Sequence, residues 1–376
     1  MSLHEHIAAV IAQTQNRCIP FSEFMRLALY TPELGYYCRT PLPIGKEGDF
    51  VTAPEISPLF GRCLARQLSA ILTTIPESNI LEFGAGLGTL ACEILLYLEK
   101  ENALPQHYFI LELSAPLKEA QRLQLQQRCP HLLTKVTWLN QLPHPFKGVI
   151  IANEVLDAMP VEIIRLYKDH YEQAFVTYNA SHFDWHYQKI SDVDLQEKAD
   201  AIAKTLAPEV LSAGYVTEVN PYLKPWINSV SECLQSGVIF IIDYGFLSPH
   251  YYHPDRKDGT LMCHYQHRSH SNPLIQVGEQ DITAHVDFSA VIEVATQAGL
   301  KTAGYAPQAH FLLALGLLEF ASLTHSTIEQ YQLAQQIKTL TLPSEMGELF
   351  KVLALAKHYE APLRGFNHLY FARPQF

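Results

Sequence analysis

The chain of 376 residues is poor in charge: Asp, Glu, Lys and Arg make up 17% of it and hydrophobic residues 48%, where roughly 25% charged is usual. So little charge excludes a disordered chain and leaves enough apolar surface for a large core. Basic residues are the scarcer kind, 27 against 38 acids, for a formal charge of −11 and a pI of about 5.9. Bulk charge therefore excludes a nucleic-acid binder. Long apolar runs are missing as well. The run from Phe311 to Leu318 is closed by His310 and Glu319, far short of the roughly 20 residues that span a bilayer, so no membrane insertion is expected. The cysteines, Cys18, Cys38, Cys63, Cys92, Cys129, Cys233 and Cys263, include no C-x-x-C pair. Neither a disulfide framework nor a thiolate zinc site is expected, and they read as buried, reduced thiols. The first residues, MSLHEHIAAVIAQTQNR, show neither a basic leader with an apolar block nor an Arg-rich presequence, which sets the expectation of a soluble cytoplasmic protein. There is no internal repeat or low-complexity tract.

A chain of this length holds one decorated domain or two. Residues 1–75 read as helices over about 5–15, 21–29 and 57–73, with a Gly- and Pro-broken loop between the last two that carries Tyr36, Tyr37 and Phe50. Aromatics on a long loop suit a lid over a ligand, or packing that pins the loop down. From Ile80 short apolar runs alternate with helical segments: ILEF, YFILEL, VTWL and GVIIAN, resuming with VIFIIDYG at 238–245 and a short strand at 301–305. That alternation predicts an α/β fold, a mostly parallel sheet covered on both faces. Its core is expected over 76–160, 236–305 and 366–376, with LYFAR (369–373) as the last strand. Residues 161–235 read as an inserted antiparallel ribbon with a helix, and 306–365 as a helical partner-binding region.

The sharpest local signal is ILEFGAGLGTL, a strand ending in Glu82 and followed by Gly84, Gly86 and Gly88, then a helix. Glycines let a strand turn directly into a helix and let a ligand approach bare backbone. A dinucleotide site would place its third glycine at Thr89 and does not usually carry an acid two residues before the first. An acid there suits a cationic ligand group, and S-adenosylmethionine offers an ammonium and a sulfonium. Glu112, at the end of the next strand, can accept both ribose hydroxyls. The alternative is an ordinary tight strand-to-helix turn.

Several blocks carry a family resemblance: GYY (35–37), PIGKEGDFVTAPEISPLFG (43–61), LEFGAGLGTL (81–90), IANEVLDAMPVE (151–162), IIDYGF (241–246), the stretch 259–292 and MGELFKVLALAK (346–357). On these the chain resembles the MidA-like class I S-adenosylmethionine-dependent methyltransferases, whose mitochondrial members are complex I assembly factors that methylate arginine. The resemblance implies a seven-stranded methyltransferase sheet, S-adenosylmethionine as cofactor, and a protein substrate such as a respiratory-complex subunit. Phe83 and His264 depart from the family's usual residues.

An arginine acceptor is a poor nucleophile because its guanidinium is protonated and delocalised. It needs carboxylates that clamp the fork and bias electron density toward one nitrogen. NEVLDAMPVE supplies candidates: Asn153 beside the donor, Glu154 as the substrate carboxylate, and Asp157 or Glu162 as a second. The Glu154 to Glu162 spacing is similar to, though one residue shorter than, the paired-glutamate loop of protein arginine methyltransferases. Glu154 and Asp157 could instead cap a turn or helix. Asp243, ending IIDYG, either faces the same cleft or bonds to loop backbone. In DITAHVDF, Thr283, His285 and Asp287 could complete the acceptor pocket, although a solvent-facing His and an N-cap Asp explain the same letters. Cys263, His264, His267 and His270 have ligand-like spacing, but they sit within a block that matches a methyltransferase loop, so no metal is expected. Two other functions stay open: methyl transfer to a small molecule or another residue, and a non-catalytic assembly chaperone that retains the donor site.

Overall fold

The structure is a computed structural model that describes residues 1–42, 45, 48, 49, 51–321 and 327–367. Phe50 and the 369–373 segment, read above as a lid aromatic and a last strand, lie outside the described residues.

The chain opens with α1 (Leu3–Gln13) and α2 (Phe21–Tyr30). A capping box sets the start of α1: the Glu5 amide donates to Ser2 Oγ at 3.2 Å and the Ser2 amide to Glu5 Oε2 at 2.8 Å. The short strand Cys18–Pro20 pairs antiparallel with Tyr171–Asn179. It thereby joins a five-stranded sheet with Glu162–Leu166, His182–Lys189 and Tyr215–Val219. The antiparallel ribbon expected over 161–190 is present, but it is not a separate insertion. Ile7, Phe21, Phe24 and Met25 bury against Ile163, Ala174, Val176 and Phe183, so the N-terminal helices and the ribbon share one core.

α3 (Pro58–Thr74) precedes the main sheet, whose strands are β1 (Asn79–Phe83), β2 (Tyr108–Leu111), β3 (Val136–Leu139), β4 (Phe146–Asn153), β5 (Leu234–Phe246), β6 (Lys301–Pro307) and β7 (Phe350–Lys357). Their spatial order is β6-β7-β5-β4-β1-β2-β3. β7 runs antiparallel to both neighbours, while β5, β4, β1, β2 and β3 are mutually parallel. Crossovers between parallel strands usually run through helices, here α4 (Thr89–Lys100), α5 (Ala115–Arg128), α6 (Leu223–Cys233) and α7 (Phe288–Gln297), while β3 passes to β4 through a loop. α3 and α4 bury one face of the sheet, and α6 and α7 the other. α6 falls inside the span read as insertion but packs on the main sheet, and the ribbon's last strand ends at Val219.

The largest correction concerns the C-terminal region. Residues 306–365 were expected to be helical, yet FKVLALAK is the seventh strand, slotted between β5 and β6. Val352, Ala354 and Ala356 pack on one face and Leu353 and Leu355 on the other. A strand buried on both sides shows no polar alternation, so its apolar run cannot be told from a helix by periodicity.

A mutation tests this placement. Leu353, fully buried in β7, should cost about 2–5 kcal/mol of stability when changed to Ala, read as a lower urea midpoint with an unchanged slope. Leu318, 59% exposed on a nearby helix, should cost no more than about 0.5 kcal/mol.

Candidate functional site

Parallel α/β sheets bind ligands outside the carboxyl ends of their strands, where the strand order reverses. In this chain β1 lies between β2 and β4, and the edge beyond them opens into a cavity of about 1030 Å³. Glu82, Gly84, Gly86, Glu112, Asn153, Glu154, Asp157 and His285 all line it. Of the sequence candidates for the donor turn, Gly88 does not line the cavity and serves the turn itself. It adopts φ +85°, and a Cβ there would come within 3.1 Å of Gln121 Cα. At Gly86 (φ +52°) a Cβ would meet nothing within 4 Å, because its backbone lies open on the cavity.

The two acids of the turn are held differently. Glu82 is buried and accepts a hydrogen bond from the Tyr108 hydroxyl at 2.7 Å, while burial pushes its carboxyl up to about 7. Glu112 accepts from the Ser114 amide (2.9 Å) and from Gln121 Nε2 (3.0 Å). The same Gln121 nitrogen donates to the Gly86 carbonyl (3.0 Å), and Gln121 Oε1 accepts from Trp138 Nε1 (2.9 Å). One fully buried amide thus braces the glycine turn, Glu112 and β3. Sequence reasoning missed it, although the signal was there: Leu117, Gln121 and Leu125 repeat every four residues on α5, an apolar stripe interrupted by a single amide.

The loop after β4 forms the adjoining wall. Glu154 adopts φ +52° and its amide donates to the Ile242 carbonyl at 2.8 Å. Its carboxylate accepts from the Ala53 amide and from Asn153 Nδ2 (3.3 Å), and burial followed by the nearby Asp157 pushes it up to about 8. Asp157 is 5% exposed, and burial pushes it up to about 6. Its Oδ1 is buried without a hydrogen-bond partner, as is Asn153 Oδ1.

Two expected carboxylates do not face the cavity. Asp243 is fully buried behind this loop: Oδ2 accepts from the Leu156 and Asp157 amides (3.0 and 3.2 Å) and Oδ1 from its neighbour Tyr244 (2.9 Å). Its expected catalytic role is corrected to holding the backbone that presents Glu154 and Asp157. Glu162 points into the N-terminal module, where Ser22 Oγ and Gln173 Nε2 donate to it. It drops out as the second acid because β-strand alternation sends it to the far side.

His285 lines the cavity beside Tyr244, ring centroids 5.3 Å apart. Burial, with Arg256 and Lys351 nearby, lowers it to about 4, so its imidazole is neutral at pH 7. Thr283 also lines the cavity, whereas Asp287 caps α7 by accepting from the Ser289 and Ala290 amides. Asp281, two residues before Thr283 on the same face, lines the cavity too and was missed. The period-two spacing of Asp281, Thr283 and His285 was the available signal. Tyr37 lines the cavity and Tyr36 is buried beside it, its hydroxyl on Asp49 at 2.9 Å. Cys263 and His264 alternate on a hairpin strand, Cys263 into the N-terminal core and His264 onto the cavity.

The chain matches, over residues 63–306, the sequence model of a family described as S-adenosyl-L-methionine-dependent methyltransferases. It belongs to that family. The crystal structure of a Burkholderia thailandensis protein bound to S-adenosyl-homocysteine superposes with a TM-score of 0.90 at 38% identity, covering 96% of this chain and 94% of that one. The mitochondrial protein arginine methyltransferase NDUFAF7 homolog of Drosophila melanogaster is 28% identical across 97% of this chain and 89% of its own length. Human NDUFAF7, also named a mitochondrial protein arginine methyltransferase, is 27% identical across 90% and 80%. The protein is a S-adenosylmethionine-dependent methyltransferase with a mostly parallel α/β fold. The expectation of a cytoplasmic protein is overturned by these relatives, which are named as mitochondrial. Among the described residues no helix is long and apolar enough to cross a membrane.

The residues present fit the methyl donor. Bare backbone at Gly86 faces the cavity, two buried carboxylates flank it, and Asn153 Oδ1 is left for a ligand.

Two measurements follow from this geometry. Gln121→Leu removes all three hydrogen bonds of the brace and should weaken S-adenosylhomocysteine binding by about 5- to 100-fold in calorimetry, the cost of about 1–3 kcal/mol for orphaned buried groups. The second concerns pH. Glu154 titrates near 4.5 when unfolded but near 8 when folded, so between these values the native state binds more protons and stability falls as pH rises. Thermal melts of ligand-free protein should therefore drop from pH 5 to pH 8, and Glu154→Gln should flatten that slope. A melting temperature that rises over the window contradicts the assignment.

Proposed function

We propose that this methyltransferase acts on an arginine side chain of a partner protein. The observation that carries the reading is the wall formed by Glu154 and Asp157. Both carboxylates line the donor cavity, Asp157 is buried with Oδ1 unpartnered, and among the described residues neither acid is ion-paired to Lys or Arg. Such a wall favours a cationic occupant, and a guanidinium offers five donors in a planar fork that matches carboxylates. The names of the relatives support the same acceptor. A subunit of a respiratory complex is the partner that the family resemblance implies, and the −11 charge suits a basic target.

Glu82 would hold the donor's ammonium, Glu112 its ribose hydroxyls, the backbone of Gly84 and Gly86 its amino-acid portion, and Asn153 an adjacent donor group, with Gly88 shaping the turn. When bound, S-adenosylmethionine supplies a sulfonium methyl carbon that accepts the acceptor nitrogen's lone pair as the carbon–sulfur bond breaks. The chain's own task is to align that nitrogen and exclude water, worth up to about 7–11 kcal/mol of the barrier. Glu154 and Asp157 grip the guanidinium and draw its positive charge away from the reacting nitrogen. After transfer, one of them accepts the proton that the methylated nitrogen sheds. Neutral His285, with Nδ1 unpartnered, can accept a hydrogen bond but carries no charge to repel the acceptor. Tyr30, Tyr37 and Tyr244 supply ring surface that keeps water out.

Incubating the enzyme with methyl-labelled donor in lysate, followed by peptide mass spectrometry, tests the reading. Label on arginine nitrogens is expected; label confined to lysine, carboxylates or small metabolites overturns it. Glu154→Gln should lower kcat/KM for the labelled protein by about 100-fold, the scale of about 3 kcal/mol lost from a buried charge contact, while leaving S-adenosylhomocysteine affinity within about twofold.

A further inference from the structure

Glu154 and Asp157 supply one side of the acceptor clamp, and with Glu162 and Asp243 committed elsewhere the remaining carboxylate on that part of the cavity, among the described residues, is Asp281. We propose that Asp281 joins Glu154 and Asp157 in the acceptor clamp, its Oδ2 and Asp157 Oδ1 receiving the acceptor's guanidinium from adjoining segments of one cavity wall. This rests on the arginine reading and extends it to a residue that neither the sequence candidates nor the relatives' names point to.

Asp281 sits on the strand Asp281–Thr283, which pairs with Met262–Tyr265, and it is 3% exposed while lining the cavity. Both hydrogen bonds to its carboxylate fall on one oxygen: Oδ1 accepts from the Tyr37 hydroxyl (2.7 Å) and from the Ile282 amide (2.9 Å). Oδ2 is left as the free acceptor. Asp157 presents a buried oxygen in the same condition. The two loops are tied to each other, because the Ala284 amide donates to the Asp157 carbonyl at 3.0 Å. Asp281 and Asp157 repel each other, with burial the larger contribution to the raised affinity of Asp281 for a proton. A cation between them relieves both costs.

The neighbouring rings favour a flat cation over a compact one. Tyr30 and Tyr37, both lining the cavity, lie with centroids 5.6 Å apart and planes 27° from parallel. Their positions are fixed, Tyr30 by a bond to the Ala158 carbonyl (2.8 Å) and Tyr37 by Asp281 itself. Aromatic faces beside a carboxylate pair accept a planar guanidinium in two ways at once, by stacking and by bidentate hydrogen bonding. An ammonium uses only the charge.

The test uses full-length enzyme saturated with S-adenosylhomocysteine and two probes, N-acetyl-arginine amide and N-acetyl-lysine amide, with binding read by calorimetry. Wild type is expected to prefer the arginine probe. Asp281→Asn, which keeps the shape and an oxygen for Tyr37, should weaken that probe at least tenfold while S-adenosylhomocysteine affinity stays within about twofold. Asp281→Asn binding the arginine probe as wild type does overturns the proposal. If wild type instead prefers the lysine probe and Asp281→Asn loses it, the arginine reading fails while Asp281 stands as the cation ligand. If wild type binds neither probe, both fall. Should Asp281→Asn fail to hold S-adenosylhomocysteine, Asp281→Glu decides: the displaced charge should reduce arginine-over-lysine selectivity at least threefold, and unchanged selectivity overturns the proposal.

Discussion

Carboxylates gathered at one edge of a sheet, none of them in an ion pair with Lys or Arg among the described residues, are the constraint on which this site depends. Glu82, Glu112, Glu154, Asp157 and Asp281 all line one cavity, and among the described residues no Lys or Arg pairs with any of them. Fixed hydrogen bonds from Tyr108, Gln121, Ala53 and Tyr37 offset part of the cost. Each is worth about 1 kcal/mol net, or up to about 3 to a charged group. A cation at about 4 Å contributes about 4 kcal/mol at an effective dielectric of about 20. The hydrogen bonds orient the acids, and what remains of the cost is met by bound protons or by a positively charged ligand. Both reactants of methyl transfer to arginine carry such a charge.

The orientation of those acids is built into backbone rather than into side-chain pairs. Asp243 has nearly all its accepting capacity on the amides of Leu156, Asp157 and Tyr244, so one buried carboxylate stitches the end of β5 to the loop after β4. Glu154 is left at φ +52°, a conformation uncommon for a residue with a Cβ and characteristic of functional turns. On the donor side Gln121 does the corresponding work with an amide. Neither residue needs to touch a ligand to decide where one fits.

Much of this was legible in the chain itself. The strand-helix alternation from Ile80 and the glycine turn flanked by Glu82 and Glu112 were readable because those features are local: the turn, its acids and its helix follow one another directly, and Glu82, Gly84, Gly86 and Glu112 all line the cavity. What the sequence concealed depended on contacts from afar. β7 was hidden because both of its faces are buried, and a uniform apolar run carries no period. Asp243 and Glu162 are acids at strand ends or starts, as Glu82 is, and nothing local distinguishes a carboxylate aimed at a cavity from one aimed at loop amides or at Ser22. Gln121 and Asp281 acquire their settings from Trp138 and Tyr37, residues that only the folded chain brings to them.

The division between what was legible and what was hidden matches a division in the fold. The wall that carries Glu82, Gly84, Gly86 and Glu112 is made by consecutive pieces of the parallel sheet. The opposite wall is assembled from the N-terminal helices, the loop after β4 and the strand Asp281–Thr283, and these meet through the Tyr37 to Asp281 and Ala284 to Asp157 hydrogen bonds. Ile282 and Ala284 bury their side chains in the same core as α1 and α2, while Val286 and Asp287 just beyond pair with the end of β5, so the segment carrying Asp281 bridges the N-terminal module and the sheet. Substitutions in that module can therefore shift Asp281 with less effect on Glu82, Gly86 and Glu112, whereas the loop after β4 packs Leu156 into the sheet's own core and couples Glu154 and Asp157 to the strands.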